Sequence, residues 1–142
     1  MSRIVNVFFI LTIGLLVSCS SDDSNDSNSF KTDIIGTWEG FSATINGEET
    51  IENGDCLDRV IFTSNTVESK EYYDYEDGAG CVLDYESGAG TYSINGNMLT
   101  GTVDGETITF EILVLNGTTL KIKGSVTEDG VTFTFIETFR RL

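Results

Sequence analysis

The side chains of this chain that could do chemistry are carboxylates and thiols. Of its 142 residues, 23 are Asp or Glu and 8 are Lys or Arg, with no histidine, for a net charge of minus 15. Histidine is the usual general base near neutral pH, so its absence removes the commonest route to proton transfer. No Gly-x-Ser-x-Gly elbow is present, and carboxylate pairs of the kind that cleave glycosides cannot be singled out from so many acids. Asp74, Glu76 and Asp77 miss the alternating oxygen ligands of an EF-hand loop, so no metal is assigned. The expectation is a protein that is not an enzyme and uses no cofactor. An acidic surface also argues against nucleic acid, whose phosphates require Lys and Arg, and against charge-driven docking on anionic lipid.

The three cysteines sit in different settings. Cys19 follows Leu16-Val17-Ser18, where the apolar run Ile4 to Val17, headed by Arg3, gives way to Ser20-Ser21-Asp22-Asp23. The run reads as a secretory signal peptide, because roughly 14 helical residues reach about 21 Å and a bilayer core needs about 30 Å. Leu-Val-Ser-Cys resembles the bacterial lipobox, in which the thiol takes a diacylglyceryl group and the cysteine becomes the new N-terminus. The acidic residues after it resemble the export signal of Bacteroidota surface lipoproteins. The resemblance implies lipidation at Cys19 and a membrane attachment held by two or three acyl chains. An outer-membrane lipoprotein exposed at the cell surface is expected, with a periplasm-facing one as the alternative.

Between Ser20 and Lys31 the chain is Ser, Asp and Asn with the single apolar residue Phe30, a composition too polar to fold by itself. The organisation read from these features is a signal peptide at 1–18, a lipidated cysteine and disordered acidic tether at 19–33, and one folded domain at 34–142. Export to an oxidising compartment leads to the expectation that Cys56 and Cys81 form a disulfide. Closing a loop of about 26 residues would contribute about 3 to 3.5 kcal/mol in the chain-entropy account.

Positioning these groups falls to strands. Seven Asn-Gly or Asp-Gly pairs punctuate the domain, at 46–47, 53–54, 77–78, 95–96, 104–105, 116–117 and 129–130, and such pairs favour tight β-turns. The alternation between them predicts eight strands, at 37–45, 57–63, 66–75, 90–94, 98–103, 107–115, 118–126 and 131–139. A turn of helix around Lys31 to Ile35 would plug one end. Eight hairpin-linked strands remove their edges most simply by closing into an up-and-down barrel, and a two-sheet sandwich is the alternative. The expected fold class is therefore all-β, an eight-stranded antiparallel up-and-down barrel preceded by a signal peptide and flexible tether.

Gly36-Thr37-Trp38 at the first strand, Cys56 before a strand ending in Phe62, Cys81 before Gly90-Thr91-Tyr92, and the strand Leu120-Lys121-Ile122 resemble the lipocalin-like domains of Bacteroidota lipoproteins. Strict alternation puts Phe41, Ala43 and Ile45 on one face of the first strand and Trp38 on the other. On the last strand Val131, Phe133, Phe135 and Phe139 are in phase, which turns Arg140 outward. The resemblance implies that Arg140 covers Trp38 at the barrel end, a structural cation–π contact of about 1 kcal/mol, with Arg141 able to substitute.

Up-and-down topology sorts the connections between two ends. The loops after strands one, three, five and seven carry many acids and both Cys56 and Cys81, whereas Ser64-Asn65, Asn95-Gly96-Asn97 and Asn116-Gly117 carry none. The tether enters at the neutral end, so the acidic end should face away from the membrane and form the mouth. Inward candidates for lining a ligand are Phe41, Phe62, Glu71, Tyr73, Tyr75, Tyr92, Phe110, Ile112, Phe133 and Phe135, with Val114 in the same face. Two readings remain: a barrel that binds a small amphipathic or apolar ligand at an acidic mouth, or a filled barrel that acts through its surface on a protein partner or as an envelope-structural module. A monomer is the expected state.

Overall fold

The computed structural model describes residues 27–50, 56–75, 80–83 and 88–142. Residues 1–26, with the signal peptide, Cys19 and most of the tether, lie outside the described residues, as do the loop segments 51–55, 76–79 and 84–87. Helix α1 (Ser27–Asp33) is succeeded by β1 (Gly36–Ile45), β2 (Glu48–Glu49), β3 (Arg59–Phe62), β4 (Thr66–Lys70), β5 (Tyr72–Tyr75), β6 (Gly80–Leu83), β7 (Ala89–Asn95), β8 (Met98–Val103), β9 (Glu106–Leu115), β10 (Thr119–Glu128) and β11 (Val131–Arg141). Eight of these strands form one antiparallel cycle, β1-β3-β4-β7-β8-β9-β10-β11, and β11 pairs back onto β1 from Trp38↔Arg141 to Ile45↔Phe135. That last pairing decides for a closed barrel over a sandwich. β2 extends β1 at its edge, and β5 and β6 make a separate hairpin.

Turn chemistry explains the hairpins at the acidic end. Asn46-Gly47, Asp104-Gly105 and Asp129-Gly130 all have positive φ at both residues, the type I′ geometry whose twist matches the strands it joins. Asn116-Gly117 works differently: the Asn116 side-chain oxygen accepts hydrogen bonds from the backbone N–H of Thr118 at 3.0 Å and of Thr119 at 2.9 Å, an Asx-type turn.

Two bulges break the alternation. Register slips between Gly40 and Ser42 in the β1–β11 pair, leaving Phe41 unopposed and 59% exposed. A second slip falls in the β9–β10 pair, where Lys121 stands opposite Val114 but the next residue, Ile122, stands opposite Ile112, which leaves Leu113 unopposed. Each extra residue inverts the facing of the rest of its strand. Trp38 therefore points into the barrel along with Ala43 and Ile45, correcting the expectation that they lie on opposite faces. Val114, opposite Lys121, is turned outward for the same reason.

The core is gathered at the neutral end, where Phe62, Val67, Ile94, Leu99, Leu120 and Phe139 are buried around Trp38. Helix α1 closes that end. Phe30 and Ile34, four residues apart and thus on one helix face, are 4% and 0% exposed. The folded unit thus reaches back to Ser27, into the stretch assigned to the tether, because an apolar pair in a polar run suffices to cover the barrel end. The Trp38 Nε1–H donates to the Ile34 carbonyl at 2.7 Å. Arg141, not Arg140, covers Trp38, with its guanidinium carbon 4.5 Å from the ring centroid. The same guanidinium donates to the carbonyls of Ile35, at 2.9 Å, and Asp33, where the end of a helix leaves acceptors open and favours a cation.

Arg140 instead crosses to the outer face, where Nε and Nη2 donate to Glu39 Oε2 at 2.9 and 2.5 Å. Arg59 Nη2 donates to Oε1 of the same carboxylate at 3.3 Å. The hydrogen bond from Arg140, opposed by burial and joined by the charge of both arginines, holds the Glu39 carboxyl below its ordinary range. Among the described residues, no helix is long and apolar enough to cross a membrane.

Candidate functional site

Above the core the barrel is not filled. A cavity of about 420 Å³ occupies its interior. The floor is Phe62, Val67, Leu99, Leu120, Ile122 and Phe139; Tyr92, Ile108 and Phe110 form the walls; Gly88, Asp104 and Glu106 reach it from the acidic end. Space is left there by glycine. Gly101, opposite Tyr92 on one side and Ile108 on the other, would meet nothing within 4 Å if it carried a Cβ. Gly124 does the reverse, since a Cβ there would approach the Phe135 ring to 2.3 Å; its absence lets Phe135 lie edge-on to Phe110, with centroids 5.9 Å apart.

A second opening of about 480 Å³ adjoins the first. It lies where β1, after its bulge, parts from the segment bearing Cys56, Leu57 and Asp58, with Phe41 and Tyr73 on its lining. Val60, Ser69, Glu71, Glu137 and Phe139 line both spaces. The Cys56–Cys81 disulfide, Cα atoms 5.3 Å apart, ties the β5–β6 hairpin to the start of β3 beside this opening. The Asp58 carboxylate accepts a hydrogen bond from the Tyr72 backbone N–H at 3.0 Å. Arg59 also lines the opening, with its guanidinium engaged by Glu39 and lying 5.2 Å from the Tyr72 ring centroid.

Ionisable groups give the interior its polarity. Glu137 projects from β11 between the inward Phe135 and Phe139, opposite Ala43 and Ile122. Burial pushes its carboxyl above the ordinary range, and the charge of Asp58 adds to the shift. Tyr92 packs edge-on against Phe62 at 5.0 Å and donates its hydroxyl to the Thr63 carbonyl at 2.6 Å; burial raises its pKa as well. Among the described residues lining the inner cavity, four are carboxylates, Glu71, Asp104, Glu106 and Glu137, and none is basic.

Of the residues proposed from sequence, Phe62, Glu71, Tyr92 and Phe110 line this cavity. Ile112 is buried in the core, while Phe133 and Phe135 continue the inward face of β11. Phe41 is displaced by the bulge to the second opening, and Tyr73, 52% exposed, lines that opening too. The side chain of Tyr75 lies outside the described residues. Glu137 was missed, although its position in phase between Phe135 and Phe139 marks it as an acid on an aromatic face.

A model of the lipocalin-like domain matches residues 34–122. The chain belongs to the lipocalin-like domain family. Solved lipocalins agree with that in fold. A bovine lipocalin allergen superposes with a TM-score of 0.50 at 15% identity, covering 78% of this chain and 73% of its own. The bovine odorant binding protein, in complex with a selenium-containing odorant, gives 0.50 at 16% identity, covering 79% and 72%. Lobster apocrustacyanin A1 gives 0.50 at 17% identity, covering 82% and 69%. No curated protein matches the chain significantly by sequence. Within this lipocalin-like barrel, no group of three or more metal-ligating side chains occurs among the described residues.

Proposed function

We propose that this protein is a lipid-anchored, surface-exposed lipoprotein whose lipocalin-like barrel binds a small apolar or amphipathic molecule through its acidic end, without catalysis. The observation that carries the binding reading is the inner cavity of about 420 Å³, within the roughly 300 to 1,000 Å³ of small-molecule sites and walled mainly by apolar side chains. A filled barrel acting only by its surface would have no reason to leave Gly101 facing open space. The bovine odorant binding protein, solved with an odorant, supports the reading by analogy of fold. Lipidation at Cys19 would hold the neutral end, covered by α1, toward the membrane and turn the mouth outward.

The cavity is tested by retention. Native mass spectrometry of the protein purified from its own cell should reveal a small molecule that is lost in Gly101→Phe, a variant whose new ring occupies the cavity. An identical ligand state for both proteins, with no reporter dye bound by either, would count against binding. The anchor is tested separately: the N-terminal peptide should begin at Cys19 and carry diacylglycerol, and protease added to intact cells should degrade the barrel. An unmodified N-terminus would remove the lipoprotein reading and leave the cavity untouched.

A further inference from the structure

The charge of the cavity narrows the ligand, given the binding reading above. We infer that the preferred ligand is an apolar body bearing a cationic amine, held with its ammonium at Glu137, and that carboxylate-headed lipids are excluded. An apolar cavity selects only for shape and hydrophobicity; its polar groups decide the head that can enter. Here every ionisable group among the described residues lining the inner cavity, apart from Tyr92, is an acid. Glu137 stands at the junction of the two openings, with Glu71 lining the same junction and Asp58 lining the second opening beside it.

A negative head would bring a further negative charge into this group of carboxylates and lose its own hydration as well. A positive head reverses the charge effect, gaining attraction where the anion meets repulsion. Burial and Asp58 disfavour the ionised form of Glu137, so a cation beside it offsets that cost. Arg59, the one base among the described residues lining the second opening, does not supply that cation, since its guanidinium turns to Glu39 on the outer face.

Three ligands of equal chain length separate the possibilities: octylamine, octan-1-ol and octanoate, measured by equilibrium dialysis against the full chain in lipid nanodiscs. Gly101→Phe nanodiscs correct for partition into the lipid. The measurements are made at pH 8, where an alkylamine is ionised. Octylamine should bind at least about tenfold tighter than octanoate, a difference of roughly 1.4 kcal/mol, with the alcohol between them. Glu137→Gln, which keeps the shape of the side chain, should bring amine and alcohol within about threefold of each other. Glu71→Gln should lower the ratio less.

Alcohol binding that survives while the amine gains nothing, or an unchanged ratio in Glu137→Gln, overturns the charge inference and spares the cavity. If none of the three binds above the Gly101→Phe background, the cavity reading fails and takes this inference with it.

Discussion

The guanidinium of Arg141 lies over the indole of Trp38 at 4.5 Å, while its neighbour Arg140 passes to the opposite face of the wall and binds Glu39. Adjacent residues of a strand face opposite ways, so only one arginine can reach a given side of the barrel. With Trp38 inside, that one is Arg141. It ties three things together at the closed end: the first strand, the last strand, and the carbonyls at the end of α1.

Arg141→Ala should therefore cost more than Arg140→Ala. Loss of the stacking and of two hydrogen bonds, to the carbonyls of Asp33 at the end of α1 and of Ile35 just beyond it, amounts to about 2 to 3 kcal/mol. Arg140, 55% exposed at its side chain, should cost about 1 kcal/mol, because solvent screens its pair with Glu39. Urea midpoints of the two variants check the order, and an equal or reversed order would assign the wrong arginine to Trp38.

Glu39 sets an acid limit on stability. Its carboxyl is held below the ordinary range in the folded barrel, first by Arg140, so its contribution is present in full above the ordinary glutamate value of about 4.3 and is lost as pH falls through the lowered one. In Glu39→Gln, melting temperature should fall at neutral pH and change less between pH 5 and pH 3 than in the parent.

Glu137 has the opposite sign. Burial raises its carboxyl in the folded state, so the penalty is absent below about 4.3 and grows as pH rises through the raised value. Glu137→Gln should melt higher than the parent at pH 8 and no higher at pH 3.5. A lower melting temperature at both would mean that the carboxylate makes a stabilising contact.

Reducing the Cys56–Cys81 bridge, a loop spanning 25 positions, or replacing both residues by serine, should cost about 3 kcal/mol. Dithiothreitol should lower the melting temperature of the parent and leave the double variant unchanged.

The two interior glycines should respond differently. Gly101→Ala projects into empty space and should lie within about 0.5 kcal/mol of the parent. Gly124→Ala collides with the Phe135 ring and should cost about 1 to 3 kcal/mol as that ring is displaced. Chemical denaturation of the pair measures both.

The eight strands of the barrel, their up-and-down order and the segregation of acidic from neutral ends were legible in the chain; the strand predicted at 66–75, however, breaks at Glu71 into β4, which joins the barrel, and β5, which pairs with β6 in a separate hairpin. Asx-Gly pairs and period-two alternation are local signals, and β8 falls at Met98–Val103, the span predicted for it. Cys56 and Cys81 were legible as a pair because the expected topology places both at one end of the barrel. The reading of Phe41, Trp38 and Arg140 was not, because it assumed that alternation runs unbroken through β1. A bulge is created by how two strands from opposite ends of the chain fit together, and nothing in the composition around Phe41 announces it.

The sequence by itself thus determined the eight main strands, their order, the all-β class and the charge of the mouth, all of which stem from local propensity and from which residues neighbour which along the chain; closure rests on the pairing of β11 with β1. Only the tertiary structure decided which way Trp38 points, which arginine meets it, and that Gly101 and Glu137 share an unfilled interior. These depend on register across β1 and β11, residues about a hundred positions apart, where a slip of one inverts the faces and pattern within a strand cannot say that it occurs.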